Sequence, residues 1–406
     1  MERTLTLGLT LSLSGRYAAM GRQALHALQL CVAQNQPGLE LGGHRYQVAL
    51  RCLDDGSDAR RCAAQYRSLC FENRADVILG PYSSNLTRVA LPISEAAGLV
   101  MINHGGADDS LYTRHARRLV GVASPASTYF VGLARLVSQL KLWRKRIAAI
   151  AAPTPFCRAV VAGLAQACEE RANARRGVRL RIHQEVRTPR DQALIDWLLH
   201  LRRARINVLV SAGDFAQDLA LVDAVIRARL NIPVLACVAA GVAEFYTQLG
   251  SRAEGIVGPS PWEESLEIEP QLGSTPRAFA REMRAAGAGE PDYPAAQAYA
   301  AGCLALAALQ ACGSLEPDRM REAFANLRIR TLLGEFAIDP NSGRQIGHQV
   351  LLVQWHDGVK VIIHPDAHAD TGSLEFPSGW RLILASLGSL HLRARRPPEN
   401  DDNNDA

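Results

Sequence analysis

Two short stretches of this chain carry residue types able to hold a small ligand. Asp76-Val-Ile-Leu-Gly-Pro-Tyr-Ser-Ser-Asn-Leu-Thr87 ends an apolar run in Gly80-Pro81 and sets Tyr82, Ser83 and Ser84 before a helical pattern. Met101-Ile-Asn-His-Gly-Gly-Ala107 follows about one βα unit later. Each reads as a buried strand, a small polar loop and a helix start, which places hydroxyls and backbone N–H groups at a helix N-terminus, where anions bind. If the two strands are parallel neighbours, both loops open at one carboxyl edge of a sheet, the usual place for a small ligand. A purely structural role is the alternative: Ser83 or Ser84 caps the following helix and the glycines satisfy a turn. Both roles can hold at once.

Catalytic chemistry finds little support. The chain has no G-x-S-x-G elbow, H-E-x-x-H, P-loop or G-x-G-x-x-G, and Leu11-Ser-Leu-Ser-Gly15 has too few glycines for a dinucleotide fingerprint. His104 stands beside the polar loops without a Ser/Asp partner at suitable spacing, so it reads as a hydrogen-bonded loop residue. Pro365 breaks the helix that would let His364 and His368 chelate a metal. Neither enzyme activity, cofactor nor metal is expected.

The elements that must position the two loops alternate along the chain. Leu5 to Leu13 is a strand by its period of two, and Ala18 to Val32 is a helix through Leu25, Leu28 and Val32. Strands over 46–53, 77–79 and 99–102 follow, with helices over 58–73 and 86–97. A second series has strands over 147–151, 178–185, 208–211 and 234–237 and helices over 159–171, 192–203 and 216–229. Gly255 to Trp262 is extended. Helices over 276–286, 294–312 and 317–327, strand-like residues 331–338 and a hairpin over 350–364 turning at Asp357-Gly358 complete the pattern. Repeated βα alternation predicts α/β architecture with parallel sheets covered on both faces. Two such series with three crossings predict two lobes and a hinge.

The size of 406 residues, 48% hydrophobic, suits about two packed domains. The 45 basic residues are nearly balanced by 40 acidic ones and lysine occurs only at 141, 145 and 360, so no concentrated basic face for nucleic acid is expected. Nine scattered cysteines without a C-x-x-C read as small buried hydrophobes. Met1-Glu-Arg-Thr runs straight into the first strand with no signal-peptide pattern, and no uninterrupted apolar stretch near 18 residues suggests a membrane span. The chain as given is therefore expected in the cytoplasm, or in the periplasm if the true start lies upstream.

The chain resembles the type I solute-binding proteins of the leucine/isoleucine/valine-binding family, which serve ABC transporters, over roughly residues 4 to 365. The resemblance rests on Leu13-Ser-Gly15 and Gly21, Asp54-Asp55 with Asp58, Ile78-Leu-Gly-Pro-Tyr-Ser-Ser84 and Met101-Ile-Asn-His-Gly-Gly106. It continues through Glu254-Gly-Ile-Val-Gly-Pro-Ser-Pro-Trp-Glu263, Tyr293-Pro294 with Tyr299, Leu333-Gly-Glu-Phe-Ala-Ile-Asp-Pro340, Gly347-His, Gln354-Trp and Asp357-Gly358. It implies a type I periplasmic-binding-protein fold: two Rossmann-like lobes joined by a three-strand hinge and closing on a ligand. Lobe one would be 1–120 plus 255–330, lobe two 121–254 plus 331–366, and 367–406 a C-terminal extension.

In such relatives a ligand carboxylate or amide sits against a serine matched here by Ser84 or Ser83, and against backbone groups matched by Gly105, Gly106 and Ala107. Glycines there let the backbone approach a ligand and offer N–H donors. Tyr82 and Phe156 stand as cleft aromatics. Two departures stand out. Ala107 replaces a ligand-binding threonine, and Val238-Ala-Ala-Gly241 replaces the glutamate that meets the ammonium of amino-acid ligands. Asp214, or Glu244, is a candidate for the missing charge, although Asp214 equally suits the cap of the helix that follows it.

The resemblance implies a small-molecule ligand and an ABC permease as partners. The alternative is a cytoplasmic ligand sensor of the same fold, like the amide-responsive amidase regulator, with a regulatory partner protein. In the extension, Trp380, Ile383, Leu384, Leu387 and Leu390 lie on one helical face that packs on its own domain or docks on a partner or membrane surface. Glu399 to Ala406 reads as a disordered acidic tail.

Overall fold

The computed structural model describes residues 3–365, apart from 37, 74, 114, 141–144, 175–179 and 187–190, together with Leu374. The expected C-terminal helix and acidic tail lie outside the described residues.

The first sheet contains β1 (Arg3–Leu11), β2 (Leu39–Leu41), β3 (His44–Asp54), β4 (Val77–Leu79), β5 (Met101–Asn103) and β6 (Leu119–Gly121), in the order β2-β3-β1-β4-β5-β6. Helices α1 (Ala18–Gln34), α2 (Ala59–Arg67) and α3 (Ser84–Ala96) connect these strands. Leu5, Leu7, Leu9 and Leu11 of β1 are fully buried against α1, as the period of two requires. Gly8 and Thr10 on the opposite face are buried as well. A Cβ at Gly8 would lie 2.6 Å from that of Ala75, so this central strand is covered on both sides.

The second sheet is built from β7 (Lys145–Ala151), β8 (Leu180–Val186), β9 (Val208–Ala212), β10 (Val234–Cys237) and β11 (Val257–Ser260), served by α4 (Val131–Gln139), α5 (Pro155–Ala174), α6 (Asp191–Arg203), α7 (Phe215–Arg227) and α8 (Ala243–Leu249). Its order, β8-β7-β9-β10-β11, repeats the winding β3-β1-β4-β5-β6 of the first. Each sheet therefore has a topological switch point between its first and third parallel strands, the crevice where open α/β sheets take ligands.

After β11 the chain returns to the first lobe through α9 (Pro276–Ala285), α10 (Tyr293–Cys312), α11 (Pro317–Asn326) and the hairpin of β12 (Ile329–Thr331) with β13 (Gly334–Phe336). It then crosses back to add β14 (Leu351–His356) and β15 (Val359–His364) beside β11. Helix α10 is long and apolar enough to cross a membrane, contrary to expectation, yet 78% of its apolar window is buried as the central helix of lobe one.

Parallel strands form the centre of both sheets, as expected, and tight turns at Gly42-Gly43 and at Asp357-Gly358, the latter the expected hairpin, fold β2 onto β3 and β15 onto β14 antiparallel at the sheet edges. The crossing placed at residue 255 falls after Ser260, since β11 pairs with β10 and β14. The return placed at residue 331 falls after Ile338, because β13 pairs with β12 and Phe336 packs edge-on against Phe324 of α11.

Candidate functional site

Strand β4 delivers its loop directly against that of β5. Gly80 N–H donates to Ile102 O at 2.8 Å, Tyr82 pairs with Gly105 as a parallel bridge, and Ser83 N–H donates to Gly105 O at 3.2 Å. A Cβ at Gly105 would lie 2.6 Å from Tyr82 Cα, so only glycine permits this approach. Ser83 adopts φ 101°, unusual for a non-glycine residue, and caps α3 by accepting from Leu86 N–H. Ser84 Oγ accepts from Asp108 N–H at 3.1 Å, and Asp108 in turn pairs with Arg88. Tyr82, Ser83, Ser84, Gly105, Gly106 and Ala107 thus form one double loop at the switch point of lobe one.

The glycines contribute differently from the expectation. Gly106 N–H is occupied by Asn103 Oδ1 at 2.8 Å, while Asn103 Nδ2 donates to Gly106 O and to the Tyr112 hydroxyl. A Cβ at Gly106 would lie 2.5 Å from Thr87 Oγ1. Gly106 is therefore required for loop packing and has no N–H left for a ligand. The Asp54-Asp55 pair is likewise structural: Asp55 accepts from Thr10 Oγ1, Ser12 Oγ and Ser57 N–H, locking the ends of β1 and β3 together.

The opposite wall comes from lobe two. Ala107 is buried in the same apolar cluster as Tyr129, Phe156 and Val238. Its carbonyl accepts from Ala126 N–H at 2.7 Å. Tyr129 meets Phe156 edge to face with centroids 5.5 Å apart, and Tyr17 meets Tyr82 in the same manner at 5.8 Å. The Tyr82 and Tyr293 phenols lie close enough to perturb one another's titration. Tyr129 lies close enough to Tyr82 and Tyr293 for their charges to couple. Burial above all raises all three phenols, so at neutral pH they are uncharged donors.

Tyr17, Tyr129 and Tyr293 are absent from the expected site residues. They are spread over nearly 280 positions, and only Tyr293, at the start of a long helix beside Pro294, carries any signal in the sequence. Asp214 stands at the lobe-two switch point. It caps α7 in a reciprocal box, accepting from Gln217 N–H at 2.9 Å while its own N–H donates to Gln217 Oε1 at 2.8 Å. Glu244 accepts from Gln248 on its own helix. The turn Val238–Gly241 packs into an apolar cluster with Phe245, and Ala239 N–H donates to the buried Asp218.

His104 is fully buried, and desolvation lowers its pKa to about 4. It is neutral at pH 7 and closed to solvent, which does not suit a general base facing a ligand. Among the described residues no cluster of His, Cys, Asp or Glu has metal-binding geometry.

Two further features mark the junction of the lobes. Lys360 of β15 reaches Asp292 Oδ1 at 2.7 Å, Glu263 Oε1 at 2.8 Å and Gly241 O at 3.1 Å. Asp292 also accepts from Ala243 N–H at 2.8 Å, so the residue preceding Tyr293 ties lobe one to α8 and β15 of lobe two. A cavity of about 610 Å³ lies elsewhere on the hinge, lined by Thr128, Val131, Arg344, His348 and His364, and does not open between the double loop and Phe156.

The family model for periplasmic binding proteins matches residues 4–360. Among solved structures, a leucine-binding protein from Thermotoga maritima superposes with a TM-score of 0.73 at 16% identity, covering 88% of this chain and 97% of that one. A branched-chain amino acid transporter substrate-binding protein from Streptococcus pneumoniae, in complex with isoleucine, gives 0.71 at 18%, covering 88% and 98%. An ABC transporter solute-binding protein from Rhodopseudomonas palustris, in complex with benzoate, gives 0.70 at 19%, covering 89% and 95%.

Proposed function

The chain belongs to the periplasmic binding protein family, and from that premise we propose that it is the non-enzymatic substrate-binding component of an ABC transporter, holding a small carboxylate, amide or amino acid between its lobes. The observation that carries this reading is the meeting of the two switch points. The double loop of 82–84 and 105–107 lies against Tyr129 and Phe156 of the opposite lobe, at the carboxyl edges of two identically wound sheets.

In this reading the ligand's carboxylate or amide lies at the N-terminus of α3. The Ser84 hydroxyl accepts from Asp108 N–H but keeps its own proton to donate. The faces of Tyr17, Tyr82, Tyr129, Phe156 and Tyr293 clasp the apolar part, and the hydroxyls of Tyr82, Tyr129 and Tyr293 supply uncharged hydrogen bonds. Lobe two offers an apolar turn at 238–241, and the Asp214 carboxylate is engaged in a helix cap. Burying an ammonium there without a partner would be costly, which favours acids and amides over plain α-amino acids. The relatives above, one holding isoleucine and one benzoate, mark the two sides of that choice.

Thermal-shift measurements with isoleucine, benzoate and acetamide test it, since a ligand bound only by the folded state raises stability with RT ln(1 + [L]/Kd). A concentration-dependent rise with benzoate or acetamide, exceeding that with isoleucine, is expected. A larger rise with isoleucine would show that an ammonium partner has been overlooked.

A further inference from the structure

Helices α1 and α10 lie in direct contact in lobe one, and Cys31 and Cys303 face each other across them with sulfurs 3.5 Å apart. Gly302 makes the approach possible: a Cβ there would lie 2.9 Å from Cys31 Sγ, 3.1 Å from Leu28 Cδ2 and 3.4 Å from Cys31 Cβ. The Cys31 side chain therefore rests against the backbone of α10, one residue from Cys303. A disulfide needs its Cβ atoms roughly 3.5–4.5 Å apart and its sulfurs at about 2.05 Å; the two sulfurs are already in contact, and rotation about the Cα–Cβ bonds with a small shift of the two helices closes the remaining gap. The other cysteines show no comparable sulfur contact among the described hydrogen bonds.

We propose that Cys31 and Cys303 are a redox pair that closes to a disulfide, with a thiol–disulfide oxidant of the glutathione class as co-reactant. One thiolate attacks the oxidant's S–S bond and expels a glutathione thiolate. The second attacks the mixed disulfide and expels another, so the protein gains one S–S bond, two thiol protons pass to the leaving groups, and two electrons reduce the oxidant. The bond joins two stretches of lobe one that the whole of lobe two separates in sequence. It pins the helices whose first turns present Tyr17 and Tyr293 to the cleft, helices also held by Gln23, which bonds Glu290 O and Asp292 N–H. The Cys303 contact and burial together hold the Cys31 thiol protonated, so closure in the folded protein is slow and runs fastest as the two helices come together during folding.

The test uses full-length protein carrying Cys312→Ser, which leaves Cys303 as the single cysteine of its tryptic peptide. One sample is incubated folded with glutathione disulfide; another is refolded from denaturant in a glutathione redox buffer. Remaining thiols are then alkylated in denaturant and the digest weighed. A cross-linked peptide joining Cys31 to Cys303, lighter by two hydrogen masses than its reduced parts, is expected in the refolded sample at least. It should vanish with dithiothreitol and be lost in Cys303→Ser. The melting midpoint should rise on oxidation by several degrees, and Cys303→Ser should show no such rise. Complete alkylation of both cysteines in both samples, or cross-links that join other cysteines instead, would overturn the proposal.

Discussion

Replacing Lys360 with Met removes the single cation from a buried group of three. The side chains of Lys360, Glu263 and Asp292 are only 11%, 11% and 8% exposed, so solvent screening is slight. The ammonium donates to Asp292 Oδ1 at 2.7 Å and to Gly241 O at 3.1 Å, and its ion pair with Glu263 Oε1 spans 2.8 Å. Methionine fills nearly the same volume, so the loss is electrostatic: two neighbouring carboxylates and a carbonyl are left in a site that excludes water. Breaking a buried ion pair by removing one partner costs about 3–5 kcal/mol, a large part of the roughly 5–15 kcal/mol that stabilises an ordinary domain. Burial already raises the Glu263 pKa while Lys360 opposes it. Without Lys360 the carboxylates should take up a proton, so the deficit should shrink from pH 8 to pH 5. Urea unfolding followed by circular dichroism measures it. The triple variant Lys360→Met, Glu263→Gln, Asp292→Asn should recover at least half of the loss, because no buried charge remains and the amide oxygen introduced at position 292 can still accept from Ala243 N–H. A single variant within about 1 kcal/mol of the parent, or a triple variant no better than the single, would refute the interlobe latch.

Other substitutions separate architecture from binding. Gly105→Ala drives a Cβ toward Tyr82 Cα and should cost about 1–3 kcal/mol while weakening any cleft ligand, read by unfolding and titration together. Asp214→Ala should cost about 1 kcal/mol through loss of the α7 cap and leave ligand affinity within twofold; a larger fall in affinity would return Asp214 to the ligand site. Burial lowers the pKa of His104 and of His348 to about 4 each. As pH falls from 6.5 toward 4 the unfolded chain takes up protons that the folded chain refuses, so each histidine should withdraw about 3 kcal/mol over that window. His348→Gln should lessen the loss of stability on acidification, which the raised carboxyls of Asp218 and Glu263 oppose, and an unchanged pH slope of the urea midpoint would contradict the assignment.

Most of the fold is legible in the sequence because it rests on local pattern. Val77–Leu79 is an apolar run bounded by Asp76 and Gly80, and its strand begins and ends where the pattern does. The double loop is legible for the same reason, since Gly80-Pro81 and Gly105-Gly106 announce tight backbone between a strand and the next element. Pairing partners carry no such mark. Nothing within Gly255–Ser260 tells that β11 hydrogen-bonds to β14, nearly a hundred residues later, so local pattern sets the crossing too early. Lys360 and Asp292 are 68 positions apart, and Tyr17, Tyr82, Tyr129 and Tyr293 look alike whether they fill a core or wall a cleft. Gly106 reads as free to offer its N–H only because the sequence does not show Asn103, three residues back, turning its side chain onto it.

Isothermal titration of benzoate, acetamide and isoleucine into the parent and into Ser84→Ala tests the interlobe site most directly. The structure predicts saturable one-to-one binding of at least one probe, weakened tenfold or more by loss of the hydroxyl. Equal affinity in the two proteins, or no saturable heat with any of the three, would contradict a ligand site at the double loop.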